Sequence, residues 1–284
     1  MRKREFCTRA SRRRSAGWRH AWAAIGLALF AAPVGAIDVS PDITLSLGGV
    51  TVQDEDVAED LGGVIGLLPL GSLPANADIV GYEDLGGEFL LAFDTTVSLS
   101  PGGVTAERRD VVRWDGSTYS LEFDGSAESI PDGVAIDAVG VGAASELLLS
   151  FDTTVALPVA GTVDDEEVVA FSGGSYSVFY DGSGLGSAAL TLDTDAVQLM
   201  PNGDIRLSFD RSGLVSSIFF DDEDALDYTP GSGTWSLAYD GTGSDANWGA
   251  GDLVALPEPG LSSVLLGAAL VAALARRRDD GDAS

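Results

Sequence analysis

The chain has 284 residues, 44 acidic against 16 basic, and a formal net charge of −28. Its only cysteine, histidine and lysine are Cys7, His20 and Lys3, all close to the N-terminus. Once that stretch is removed, the remainder cannot form a disulfide, a Cys/His zinc site or a Ser-His-Asp or Cys-His nucleophile.

In chain order, Arg2, Lys3, Arg4, Arg9, Arg12, Arg13, Arg14 and Arg19 precede an apolar run from Ala21 to Ala32. Val34-Gly35-Ala36 then supplies small residues. This predicts a signal peptide over residues 1–36, cut by signal peptidase after Ala36. Arg12-Arg13 fits a twin-arginine signal, but Arg14-Ser15-Ala16 lacks the apolar follow-up, so the general secretory route is expected. From Ile37 to Pro259 lie 40 of the 44 acids (all but Glu5, Asp279, Asp280 and Asp282) against five arginines, a net −35. Such a surface repels nucleic acid and anionic headgroups and attracts cations, Ca²⁺ included. The same charge also serves as a solvated coat. β-branched and aromatic residues are too plentiful for a disordered acidic tract.

The body is repetitive. Phe89-Leu-Leu-Ala-Phe-Asp-Thr-Thr-Val97 returns as Leu147-Leu-Leu-Ser-Phe-Asp-Thr-Thr-Val155 and as Ile205-Arg-Leu-Ser-Phe-Asp210. Tyr119-Ser-Leu-Glu-Phe-Asp-Gly125 returns as Tyr176-Ser-Val-Phe-Tyr-Asp-Gly182 and Trp235-Ser-Leu-Ala-Tyr-Asp-Gly241. With a degenerate copy starting at Asp42, four units result, near 42–85, 88–142, 146–199 and 204–256, within one domain over 37–256. Leu147, Leu149, Phe151, Thr153 and Val155 alternate at period two, as do Tyr176, Val178 and Tyr180. Asp-Gly pairs at 115–116, 124–125, 132–133, 181–182 and 240–241 read as tight turns with positive φ. No stretch of the body shows a helical period. The expected fold is all-β. Four units of four short strands match the blades of a small β-propeller. A β-sandwich of repeated hairpins is second and a duplicated solenoid third.

The recurring Asp94, Asp152 and Asp210 end strands and read as Asx-turn caps, with Ca²⁺ ligation as the alternative. The densest cluster, Asp221, Asp222, Glu223 and Asp224, supplies the Ca²⁺ candidates Asp221, Asp222 and Asp224 and recurs at 164–167. No catalytic residue stands out, and no cofactor is called for. An acid-only glycoside hydrolase remains an alternative, since paired carboxylates suffice for that chemistry. Trp114 and Trp235 sit in strand-like strings and read as core, whereas Trp248, in the Gly-rich stretch 241–251, is the freer candidate for stacking on a sugar.

The tail closes the chain with Pro257-Glu258-Pro259, an apolar run over 261–275 and Arg276-Arg277-Arg278. Fifteen residues of helix span about 22 Å, short of a bilayer core of about 30 Å, although the arginines can snorkel. The basic cluster places this end in the cytoplasm and the body outside. Motif, helix and arginines, in this order, resemble the PEP-CTERM sorting tail of Gram-negative bacteria, over residues 257–284. Asp279 to Ser284 depart from it as an acidic trailer. Pro259 stands where a Gram-positive LPxTG signal needs Thr, which rejects that signal. The resemblance implies an exosortase-like protease as partner, a transient stay in the inner membrane, trimming near 257–259 and a setting of exopolysaccharide. It implies nothing about the body. The expected protein is a non-enzymatic cell-surface or matrix protein; the alternative is a secreted Ca²⁺- or glycan-binding module.

Overall fold

A computed structural model describes residues 36–182 and 192–255. The signal peptide expected over residues 1–36, apart from Ala36, and the tail from 257, with its 261–275 segment, lie outside the described residues. The described chain is built from strands. β1 (Ile37–Pro41), β2 (Leu45–Leu47), β3 (Val50–Val52), β4 (Ala58–Asp60) and β5 (Ile65–Leu67) come first. The second group is β6 (Ile79–Asp84), β7 (Phe89–Phe93), β8 (Val97–Leu99), β9 (Val104–Ala106), β10 (Val111–Trp114) and β11 (Tyr119–Phe123). The third is β12 (Ile136–Val141), β13 (Leu147–Phe151), β14 (Val155–Leu157), β15 (Gly161–Val163), β16 (Val168–Ser172) and β17 (Ser175–Tyr180). The fourth is β18 (Thr194–Leu199), β19 (Ile205–Phe209), β20 (Gly213–Val215), β21 (Ile218–Phe220), β22 (Ala225–Thr229) and β23 (Thr234–Tyr239). A single helical turn α1 (Gly241–Ser244), a 3-10 turn over Ala246–Ala250 and β24 (Leu253–Ala255) follow.

Pairing makes this a four-bladed β-propeller. The antiparallel sheets run β6-β7-β10-β11, β12-β13-β16-β17, β18-β19-β22-β23 and β24-β1-β4-β5. The last blade takes its innermost strand from the far end of the chain: Ser40 lies opposite Ala255 and Pro41 opposite Leu253. The repeats near 88–142, 146–199 and 204–256 therefore each run from the second strand of one blade to the innermost strand of the next, whereas the one near 42–85 begins just after β1, the second strand of its blade. Each blade also carries a two-stranded hairpin between its second and third strands, β2-β3, β8-β9, β14-β15 or β20-β21.

Burial follows from this stacking. Second strands are covered on both sides by neighbouring blades, so Phe89–Phe93 is buried throughout, and a continuous apolar run replaces alternation. The core divides into four wedges between blades. Tyr82, Phe93 and Trp114 fill the first with Val57 and Leu70, and Phe123, Phe151 and Tyr176 the second. Tyr180, Phe209 and Phe220 fill the third, and Val39, Leu47, Tyr239 and Trp248 the fourth. The inner strands meet at the axis through small residues. A Cβ on Gly81 would lie 3.0 Å from Val139 Cγ2, and one on Gly140 would lie 2.7 Å from Val197 O.

Three local expectations are corrected. Leu147 to Val155 is not one strand: β13 stops at Phe151, the chain bends at Asp152, and Val155 opens the hairpin. Tyr176 and Tyr180 face different wedges, because a bulge between Val168 and Val169 shifts the register of β16 against β17. Only two of the five Asp-Gly pairs hold a left-handed glycine, Gly116 at φ 86° and Gly133 at φ 91°. The glycines at 125, 182 and 241 serve close approach instead. A Cβ on Gly241 would lie 2.6 Å from the Glu223 carbonyl oxygen, one on Gly182 would lie 2.7 Å from that of Glu166, and one on Gly125 would collide with that of Arg109. Gly125→Ala and Gly241→Ala will each lower stability by about 1–3 kcal/mol, as overpacking against a fixed backbone does. Thermal denaturation checks this, and an unchanged Tm contradicts it.

Candidate functional site at the acidic end of the axis

Each blade presents a four-residue turn just before its third strand, at 53–56, 107–110, 164–167 and 221–224. The last residue caps the turn by accepting the first residue's N–H: Asp56 from Gln53 at 3.0 Å, Asp110 from Glu107 at 2.9 Å, Glu167 from Asp164 at 3.0 Å and Asp224 from Asp221 at 2.9 Å. The second residue's carbonyl accepts from the first residue of the next blade's inner strand. These bonds are Ile79 N to Asp54 O at 3.0 Å, Ile136 N to Arg108 O at 2.9 Å, Thr194 N to Asp165 O at 3.3 Å and Leu253 N to Asp222 O at 3.3 Å. The turn thereby places one side chain of each blade at the mouth of the next blade's inner hairpin.

That mouth is closed by the recurring aspartates. Asp94, Asp152, Asp210 and Asp42 donate their N–H to the carbonyls of Asp78, Ala135, Asp193 and Asp252 at 3.1–3.2 Å. Three carboxylates return the bond: Asp152 to Ala135 N at 2.8 Å, Asp210 to Asp193 N at 2.9 Å and Asp42 to Asp252 N at 2.7 Å. They are caps, but across a hairpin rather than within a local Asx-turn. Three junctions thus bring acids together, at Asp54, Asp78 and Asp94, at Asp165, Asp193 and Asp210, and at Asp222, Asp252 and Asp42. In the fourth, Arg108 and Ala135 replace two of them, and Arg108 pairs with Asp152 at 3.2 Å. The bulged positions of β12 and β18 add Asp137 and Asp195.

Burial first, and then neighbouring carboxylates, raise Asp78, Asp137, Asp193, Asp195 and Asp252 above the ordinary carboxylate range. Desolvation, then Asp94 and Asp54, push Asp78 up to about 7. Desolvation with Asp165 and Asp210 moves Asp193 to about 7, and desolvation with Asp222 moves Asp252 to about 7. Asp137 rises to about 8 by desolvation and the Asp193 and Asp152 charges, against an opposing pull from Arg108. Asp195 is raised well above the usual value by burial and by Asp252. Buried oxygens of Asp78, Asp94 and Asp193 have no hydrogen-bond partner. At the opposite end of the inner strands, Asp38, 1% exposed, and Glu83 each hold a buried carboxylate oxygen without a partner. Desolvation first, then Asp84, raise Asp38 to about 8, while Tyr82 Oη donates to it at 3.3 Å.

Of the Ca²⁺ candidates, Asp224 spends both oxygens on backbone N–H groups, those of Asp221 and of Gly241 at 3.0 Å. Asp221 and Asp222 line an open cleft of about 550 Å³ with Asp42, Glu223 and Asp252. Among the described residues no group of three or more acids is arranged to hold a metal ion. Trp114 is core, as expected: it is 7% exposed, and its Nε1 donates to Pro69 O at 3.1 Å. Trp235 is half-buried and lies 4.8 Å from the Tyr228 ring. Trp248 is no free platform, because its exposure is 0%. Asp240 and Asp245 cap two short turns, accepting from Gly243 N at 2.6 Å and Asn247 N at 2.9 Å, and the second carries Trp248 into the fourth wedge. Among the described residues the free aromatic is Phe219, which is not among the sequence candidates. It is 80% exposed on β21, beside a pocket of about 580 Å³. Its sequence signal is the position itself: the matching residues of the other hairpins are Thr51, Thr105 and Thr162.

Among the described residues no helix is long and apolar enough to cross a membrane. No family model matches the chain, and no curated protein does. Similar solved structures include the extracellular domain of a one-component system from B. thetaiotaomicron, at 8% identity and a TM-score of 0.31 over 71% of this chain and 22% of that one. YCF48 bound to a D1 peptide is similar at 9% identity and a TM-score of 0.29, over 72% of this chain and 66% of that one. A protein of unknown function from Bacteroides caccae is similar at 11% identity and a TM-score of 0.31, over 71% of each chain.

Proposed function

We propose that this protein is an exported, non-enzymatic propeller, tethered briefly in the inner membrane by its tail and then released to the cell surface or the extracellular matrix. The observation that carries the reading is where the ring begins and ends. β1 starts at Ile37, directly after the proposed cleavage point Ala36, and β24 ends at Ala255, two positions before Pro257. Signal peptidase and an exosortase-like protease would remove both addresses and leave every blade whole. The acidic surface keeps such a product soluble and away from anionic lipid. An exopolysaccharide is the proposed surrounding. Deleting residues 257–284 and fractionating the cells tests the proposal: the protein is expected to leave the envelope-associated pool, and an unchanged distribution contradicts the sorting role. Mass spectrometry of the native C-terminus is expected to find it near 257–259.

A further inference from the structure

We propose that the β18–β23 blade binds a neutral sugar ring on a platform made by Phe219, Leu214 and Leu237. The starting point is a break in the repeat. The middle residues of the four hairpins, paired across the two strands, are Ser46 with Thr51, Ser98 with Thr105, Ala156 with Thr162, and Leu214 with Phe219. Three pairs are small or polar, as suits a solvent-facing position. The fourth is large and apolar, with Leu214 42% and Phe219 80% exposed, and Leu237 of β23 adjoins it at 42%. In so acidic a protein, a bare phenyl ring beside two leucines marks a contact surface.

The rest of the hairpin departs from the repeat as well. Where the first two hairpins turn on Gly48-Gly49 and Gly102-Gly103, this one holds Ser216 and Ser217 at φ 49° and 74°. Non-glycine residues in that conformation are strained, and the third hairpin holds one as well, Val159 at φ 71°. Gly213 stands where the other hairpins have Leu45, Val97 and Val155. A Cβ there would lie 2.7 Å from Phe220 Cζ, so the glycine lets the Phe220 ring in below the platform.

The surroundings define the ligand. Asp221, Asp240 and Thr242 line the same pocket, and no basic side chain does. Asp240 accepts the Gly243 N–H with one carboxylate oxygen at 2.6 Å. The ligand must therefore offer a flat apolar face to Phe219 and hydroxyl donors to acceptors at its edge, and it must carry no negative charge. A pyranose ring does all three. A stable protein interface uses about 20–30 residues a side, far more than three apolar side chains provide. The inference rests on the proposed export only for where the ligand is met, and a binding assay on purified protein stands whatever localisation shows.

The test is calorimetric titration of the full-length protein with maltohexaose, laminarihexaose, cellohexaose and, separately, hexalysine. At least one hexaose is expected to bind saturably. Phe219→Thr, which installs the residue of the other three hairpins, should weaken it at least tenfold with Tm unchanged, and Phe219→Tyr should retain it. Binding of none of the hexaoses, hexaose binding that survives Phe219→Thr, or Phe219-dependent binding of hexalysine alone would each overturn the proposal.

Discussion

Melted at pH 5, the protein will unfold at a higher temperature than at pH 8. Asp38 and Asp137 titrate near 8 in the folded state, and Asp78, Asp193, Asp252 and Glu223 near 7, all raised first by burial. In the unfolded chain these carboxyls titrate near 4. Between the two values the folded state binds more protons, so stability falls as pH rises. The contribution is complete below about pH 4 and is lost as pH passes through 7 to 8. A tenfold rise in a carboxylate's proton affinity on folding corresponds to about 1.4 kcal/mol. Most of these groups are partly reached by water, so the loss amounts to a few kcal/mol rather than the full sum. Asp115, Asp124 and Asp245 are lowered and work in the opposite sense, but they lie at the surface. Salt will narrow the gap, because it screens repulsion among the ionised acids most at pH 8. Calorimetric scans at the two pH values, with and without 0.5 M NaCl, a concentration well above that giving a Debye length of about 8 Å, check both statements. An equal or higher Tm at pH 8 would show that the acids of the axis are solvated and ionised in the native ring.

Cutting the chain after Ala255 will leave the ring folded, whereas cutting it after Gly251 will open it. The second truncation removes β24 and with it the pairing to Ser40 and Pro41. Leu253, 0% exposed, leaves the fourth wedge. Ser208 Oγ loses the Leu253 carbonyl at 2.9 Å, and Asp222 O loses Leu253 N at 3.3 Å. The two hydrogen bonds between Asp42 and Asp252 go too, from Asp42 N to Asp252 O at 3.1 Å and from Asp252 N to the Asp42 carboxylate at 2.7 Å. A buried leucine contributes about 1.5–3 kcal/mol, and each buried polar group left without a partner costs about 1–3 kcal/mol. The total is on the order of the 5–15 kcal/mol that holds a whole domain together. Circular dichroism melts of the two truncations decide the matter. The longer chain is expected to melt cooperatively like the full-length protein, and the shorter to lose its sharp transition. Matching melts would mean that the ring does not depend on its closing strand.

Much of this architecture is legible in the residues. The repeated Phe-Asp and Asp-Gly strings carry the blade because strand pairing and side-chain alternation are local, and each blade is nearly a copy of the last. The second strands announce their burial through runs such as Phe89–Phe93, since only a strand covered on both faces tolerates five apolar residues in a row. The turn acids are visible too, as Asp110, Glu167 and Asp224 recur in step.

Their meaning is not visible, because it depends on what the next blade brings. Whether Asp152 caps its own turn or reaches Ala135, 17 residues away, is decided by hairpin pairing. Gly125 and Gly241 read as turn residues, yet close approach to the preceding turn's carbonyl is what demands them. Trp248 reads as exposed in a Gly-rich loop, yet two short capped turns drive it inward. Composition and repetition alone determined an acidic, all-β chain of four units without thiol or imidazole chemistry in its body. Only the tertiary structure decided that the first and last described strands share a sheet, that the acids meet around the axis, and that Phe219 rather than a described tryptophan faces the solvent. The reason is physical: local sequence sets strand and turn, but burial, proton affinity and exposure belong to neighbours brought together across the ring.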